Sequence, residues 1–173
     1  YYRKKIPLII HVNGIRGKST TTRLIDAGLR NCGYKVFSKT TGTIPTIINS
    51  NNQDIVIKRL GKANIREQIR MLKKAAKENV DVLVLECMAV NPELQKICEE
   101  KILNANITII TNVRMDHIKD MGDTLEELAL ALSNTTPTNG TLIVNESEFV
   151  KLFAKQANKK NSKLIVAKPY GGI

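Results

Sequence analysis

Ile9-Ile10-His11-Val12-Asn13-Gly14-Ile15-Arg16-Gly17-Lys18-Ser19-Thr20 decides how this chain is read. An apolar, strand-like run enters a glycine-containing turn, and the turn opens a helix with Lys18 and Ser19. Such a turn presents backbone N–H groups and a helix N-terminus to phosphate oxygens, with a lysine as point charge and a hydroxyl able to ligate Mg²⁺. The strict phosphate-loop pattern GxxxxGK[ST] asks for glycine at position 12, where Val12 stands, so the motif here is the shorter GxxGKST. Asn13, Gly14, Ile15, Arg16, Gly17, Lys18, Ser19 and Thr20 are the expected ligands of ATP, and Ser19 of its metal.

Outward from the turn, short apolar runs alternate with helical patterns. Expected strands are 8–13, 35–38, 54–58, 82–86, 107–111, 141–145 and 164–167. Most are continuous Val/Ile/Leu runs, the composition of strands buried on both faces. Helices are expected from Ser19 to Asn31, with Ile25, Gly28, Leu29 and Cys32 on one face, and through Ile65, Ile69, Leu72 and Ala76. Asn91-Pro92 reads as an N-cap followed by Pro at the first helical position. Asp123 with Glu126 resembles a capping box, and a last helix is expected over 148–158. Residues 39–53, rich in Thr and Asn, read as one long irregular stretch. This alternation predicts an α/β fold: a mostly parallel sheet with helices on both faces, P-loop NTPase-like, with ligands beyond the carboxyl ends of the strands.

Further polar motifs fall at such ends. Val82-Leu83-Val84-Leu85 delivers Glu86 to the edge where the phosphate loop sits, as a Walker-B acid is delivered to Mg²⁺. Thr111-Asn112-Val113-Arg114-Met115-Asp116-His117 follows another apolar strand and offers His117 for metal or phosphate chemistry, whereas His11 sits inside a strand and reads as a core residue. Lys39-Thr40-Thr41-Gly42-Thr43 is explained by turn chemistry but can also bring a second hydroxyl to a metal. Arg66, Arg70, Lys73 and Lys77 form a basic stripe that reads as a solvated helix face. In the preceding loop, 59–64, Arg59 is a better candidate for gripping a carboxylate-rich substrate.

Composition bounds the partners. The 173 residues suffice for one substantial core, and hydrophobic and charged fractions of 42% and 25% are those of an ordinary globular chain. Lys plus Arg outnumber Asp plus Glu by 27 to 16, a net charge of +11 that favours a polyanionic partner. Aromatic residues make up only 4% and tryptophan is absent, which argues against a nucleic-acid platform. Cys32, Cys87 and Cys98 lack metal-ligand spacing and read as core thiols of a reducing compartment. No apolar run reaches the length of a bilayer span. The chain begins without Met and stops soon after a strand, so it reads as a fragment of something longer.

Taken together, Gly17-Lys18-Ser19-Thr20, Glu86 and Asp116-His117 resemble the central ATPase domain of the Mur ligase family, which includes folylpolyglutamate synthase. The strings 13–20, 39–43 and 86–92, with Asn112-Val113, Asp116-His117 and Met121-Gly122, resemble more closely the ligase subunits of poly-γ-glutamate capsule synthases. The resemblance implies one ATP-binding central domain over 1–173, lacking an N-terminal membrane anchor and a C-terminal domain. It implies an ADP-forming ligase that joins glutamate to a poly-γ-glutamate acceptor through an acyl phosphate, at the cytoplasmic face of the membrane with membrane subunits. A homo-oligomer is left open. Lys18, Glu86 and His117 would be catalytic; Asn112 would join the nucleotide site; Ser19, Thr41, Glu86 and His117 would hold Mg²⁺. Many Mur ligases carry a carbamylated lysine beyond the histidine, but counting on from His117 lands on Leu132, so a second metal site would be built differently. A rival reading is a non-catalytic ATP-binding subunit that energises a membrane assembly; it needs the loop, Lys18 and Glu86 but not Asp116-His117.

Overall fold

The computed structural model describes residues 1–59, 61, 64–116, 118–145 and 147–168. Among the described residues eight strands form one sheet in the order β4-β3-β2-β5-β1-β6-β7-β8. They are β1 (Leu8–Asn13), β2 (Val36–Thr40), β3 (Thr46–Ile48), β4 (Asp54–Val56), β5 (Val82–Glu86), β6 (Ile107–Ile110), β7 (Thr141–Asn145) and β8 (Lys163–Ala167). The six strands from β2 to β8 in that order pair in parallel, whereas β3 and β4 return antiparallel at one edge. The helices are α1 (Lys18–Asn31), α2 (Arg66–Glu78), α3 (Pro92–Ile97, continued as a π-helical turn Cys98–Leu103), α4 (Ile118–Met121), α5 (Leu125–Leu132) and α6 (Val150–Lys159).

The expected α/β architecture is present, and its cause lies in the central strands. Every residue of β5 and all but the first of β1 are buried. Helix α1 lies against the Val12, Val36, Val82 and Val84 face through Ile25 and Leu29. On the opposite face Ile9, Phe37, Leu83 and Leu85 meet Met71, Leu72 and Ala75 of α2. A second cluster joins Ile110, Leu142 and Val144 to Leu128, Leu132 and Phe153. With helices on both sides, the carboxyl ends of β1, β2, β5 and β6 are left as the open edge.

Several local expectations need correction. The stretch 39–53 is not irregular throughout: β2 runs on to Thr40 and β3 pairs back against it, with Asn52 turning the chain at φ 61°. The strand expected at 54–58 ends at Val56 and is an exposed antiparallel edge. The buried stripe of α2 is rotated from the expected one. Ile69 is exposed, while Glu67 and Gln68 are buried with polar partners inside, Lys39 for Glu67 and the Glu86 carbonyl for Gln68. Cys32 is exposed at the end of α1, whereas Cys87 and Cys98 are buried as expected. The sheet-facing row of α1 instead includes Thr22 and Asp26, and Asp26 is held by Arg30 at 2.7 Å.

Helix starts show which ends are closed locally. Asn91 caps α3, accepting from the Glu93 and Leu94 amides, with Pro92 first in the helix. The capping box of α5 is Thr124 with Glu127, one residue beyond the expected Asp123–Glu126 pair, because Thr124 is the residue with extended backbone. Helix α1 differs: its N-cap is Gly17 and no side chain caps it. Its first intrahelical bond is from the Thr21 amide to Gly17 O, so the amides of Lys18, Ser19 and Thr20 have no acceptor within the helix.

Candidate functional site

Beside this helix start lies a cavity of about 330 Å³ at the sheet's carboxyl edge, lined by Asn13, Gly14, Ile15 and Lys18 on one side and by Thr41, Gly42, Glu86 and Met88 on the other. Positive macrodipole end, absence of an acid in the first turn and the Lys18 charge together make this an anion site.

The loop is held rigidly by the end of β6. Thr111 Oγ1 and Asn112 Nδ2 both donate to Arg16 O, at 2.7 and 2.9 Å, and the Arg16 amide donates to Asn112 Oδ1 at 3.0 Å. Asn112 is therefore a clamp on the loop. Asn13 is also committed to the protein: its Oδ1 accepts from the Gly14 amide, and Nδ2 donates to Gln95 Oε1 and Thr135 Oγ1. Both residues shape the cradle through the backbone they fix. Ile15 is buried in the core beneath the loop. Lys18 Nζ lies back on the loop, donating to Gly14 O at 2.7 Å and Ile15 O at 3.2 Å. Thr20 is exposed in the first turn of α1. Arg16 points outward and pairs with Asp116 at 2.8 Å.

Across the cavity, Glu86 is buried at the tip of β5. Its Oε2 accepts from Ser19 Oγ at 2.8 Å and from the Thr41 amide at 2.6 Å. Carboxylate and hydroxyl oxygens thus converge, the donor types a hard divalent cation takes. Thr41 is brought to this point by β2, though the contact it makes is through its backbone. Among the described residues no group of three or more His, Cys, Asp or Glu could hold a metal ion. His117 lies outside the described residues.

Behind this wall runs a buried charge network that sequence reasoning missed. Glu67 sits between Lys39 Nζ, at 2.6 Å from Oε1, and the Arg59 fork, whose Nε and Nη2 donate at 2.9 and 3.0 Å. Burial works to raise the Glu67 pKa, but the bonds from Arg59 and Lys39 outweigh it and hold the group down at about 2. Burial lowers Lys39, against the pull of Glu67. Gln68 Nε2 donates to Glu86 O at 3.1 Å, tying the same helix to the acidic strand end. The available signal was Lys39 itself, a charge following Val36-Phe37-Ser38 in a strand buried along its whole length, which demands a buried counter-ion. His11 is a core residue as expected. Its Nδ1 bonds Glu99 Oε2 at 2.9 Å; burial opposes its charge, but the Cys87 side chain and Glu99 raise its pKa well above the ordinary value.

A Glu67 pKa depressed below the unfolded value of 4.5 means a contribution to stability that is complete above pH 4.5 and is lost as pH falls toward about 2. Denaturant titrations across that window are expected to show stability falling, with the fall reduced in Glu67→Gln. An equal acid sensitivity in the two proteins would remove Glu67 as its source.

The sheet order, the uncapped helix after β1 and the acid at the end of β5 define an α/β domain of the P-loop-like class, with an anion site at its carboxyl edge. Residues 12–169 match the Mur ligase middle domain, and the chain belongs to that family. It is 43% identical over 164 residues to the capsule biosynthesis protein CapB of Bacillus anthracis, covering 94% of this chain and 35% of that protein. It is 42% identical over 164 residues to the PGA synthase CapB of Bacillus subtilis (strain 168), covering 94% of this chain and 42% of the relative. The chain therefore spans well under half the length of these curated relatives. Among solved structures, E. coli FolC in complex with DHPP and ADP superposes with a TM-score of 0.66 at 19% identity, covering 95% of this chain and 43% of that one. A bifunctional folylpolyglutamate synthase/dihydrofolate synthase with Mn, AMPPNP and L-glutamate bound gives 0.65 at 18%, covering 95% and 44%. These likenesses agree on the fold.

Proposed function

We propose that residues 1–173 are the central ATP-binding domain of an ADP-forming acid–amino-acid ligase that adds glutamate to a growing poly-γ-glutamate chain, for a capsule or similar exopolymer. The observation that carries this reading is the approach of Ser19 Oγ to Glu86 Oε2, 2.8 Å, across the mouth of the phosphate loop. Likeness to the two CapB proteins, one named as a PGA synthase, supports the substrate class.

In this reading the amides of Lys18, Ser19 and Thr20 and the Lys18 ammonium hold the β- and γ-phosphates, while Gly14, Gly17, Asn13 and Asn112 keep the loop in shape. Ser19 and Glu86 hold Mg²⁺, with Thr41 beside them; His117 is assigned to a second metal or to the γ-phosphate. A bound divalent cation supplies charge neutralisation between the phosphates. The γ-phosphoryl group passes to a carboxylate oxygen of the acceptor and ADP leaves. The amine of the incoming glutamate then attacks the acyl carbon, phosphate departs, and the amine loses a proton. No nucleophilic side chain is needed; catalysis is positioning and charge stabilisation. The net charge of +11 offsets the repulsion between a polyanionic acceptor and the triphosphate. No helix among the described residues is long and apolar enough to cross a membrane. Location at the cytoplasmic face, with membrane subunits and without nucleic acid, belongs to the proposal.

Replacing Glu86 by Gln tests it. Wild-type nucleotide affinity is expected to rise with Mg²⁺, and the variant to lose about tenfold of that gain while keeping its metal-free affinity. An unchanged magnesium dependence would take Glu86 out of the metal site. ADP release by the complete protein that ignores glutamate would favour the energising ATP-binding subunit instead.

A further inference from the structure

Arg59 stands where two hollows meet. It lines the 330 Å³ nucleotide cavity and also a neighbouring pocket of about 240 Å³ whose other cationic residues are Lys58 and Arg70. One edge of its guanidinium, Nε with Nη2, is filled by Glu67. Among the described residues Nη1 has no hydrogen-bond partner, and the side chain keeps 23% of its surface open. Glu67 is in turn fixed by Lys39, which is fully buried. Two cations around one carboxylate leave this trio with one net positive charge, presented on the open edge of a planar fork. A guanidinium locked in plane on one edge offers its other edge for two parallel bonds to a second carboxylate at little further entropic cost.

We infer that Arg59 recognises a carboxylate of an acidic acceptor chain entering the nucleotide cavity from the Lys58–Arg70 pocket, with Glu67 and Lys39 as positioning residues. The acceptor's identity rests on the ligase reading above; the carboxylate subsite does not. An extended acidic chain lying in the side pocket meets Lys58 and Arg70 first, and its terminal carboxylate then reaches Arg59 at the boundary with the phosphate loop. The bidentate grip expected of Arg59 toward substrate is thus corrected in detail: the Nε edge is spent inside the protein, and the Nη edge remains.

The test uses the full-length protein with a labelled γ-linked glutamate oligomer and, separately, inorganic polyphosphate of similar length. Arg59→Gln is expected to weaken oligomer binding about ten- to a hundredfold, the range for a lost charge-assisted bond, and to weaken ATP binding by clearly less. Glu67→Gln should weaken it in the same direction but less, since Arg59 remains without its fixed plane. In turnover assays the Arg59→Gln loss should appear more in the acceptor KM than in the KM for ATP. Unchanged oligomer binding in Arg59→Gln, or an equal loss for polyphosphate, would overturn the inference. Wild-type turnover indifferent to glutamate would instead remove the ligase reading, and the binding comparison would still decide the role of Arg59.

Discussion

Lys18→Ala is expected to lower ATP affinity by about a hundredfold or more, the upper range for losing a charged partner from a desolvated anion, with little change in thermal stability. The structure separates the two effects. Among the described residues Lys18 Nζ donates to the carbonyls of Gly14 and Ile15, within three or four residues of itself, so its removal breaks no long-range hydrogen bond there. Those carbonyls border the cradle that the amides of Lys18, Ser19 and Thr20 face, and the ammonium has only to swing from carbonyl oxygen to phosphate oxygen. The remaining amides and helix dipole contribute less than a full charge. Titration calorimetry with ATP and Mg²⁺, beside a thermal melt, measures both quantities. Near-wild-type affinity in a folded variant would mean that the triphosphate sits elsewhere and that the loop is only a structural turn.

That loop was legible because its chemistry is local. A strand, a glycine turn and a helix start lie within residues 8–20, and the unbroken apolar run of β5 carries Glu86 to the same edge without any tertiary information. The continuous Val/Ile runs likewise pointed directly to the parallel sheet. What failed depended on pairings that apolar periodicity does not carry. β3 has only three residues, and its pairing with β2 could not be seen in a Thr- and Asn-rich stretch. The face of α2 was misread because periodicity counts apolar residues, and here Glu67 and Gln68 are the buried ones, satisfied by Lys39, Arg59 and the carbonyl of Glu86. Asn112 lies against the phosphate loop, and its reciprocal clamp on Arg16 needed β6 set beside β1. Buried polar pairs have no period, and so sequence patterning passes over them.

The same neighbourhood of β6 makes Gly14 the position least tolerant of change. Gly14 has φ 123°, a region that side chains rarely enter, and a Cβ there would lie 2.1 Å from Thr111 Oγ1, 2.9 Å from Thr111 N and 3.1 Å from Asn112 N. The hydroxyl could rotate only by giving up its bond to Arg16 O, and the two nitrogens are backbone at the end of a central strand. Gly14→Ala must therefore push the loop off β6, at about 2–4 kcal/mol for the backbone conformation and the overlap together. Adding Thr111→Ala removes one clash and leaves the backbone ones. Gly17 gives the contrast. It is also left-handed, at φ 80°, but a Cβ added there would meet nothing within 4 Å, so Gly17→Ala should cost about 1–2 kcal/mol. Chemical denaturation should rank Gly14→Ala well below Gly17→Ala in stability, and Gly14→Ala should lose ATP binding even where it remains folded, because the amides no longer converge. Equal stability of the two variants would show that the loop is not clamped against β6, and would remove the rigid cradle on which the nucleotide site depends.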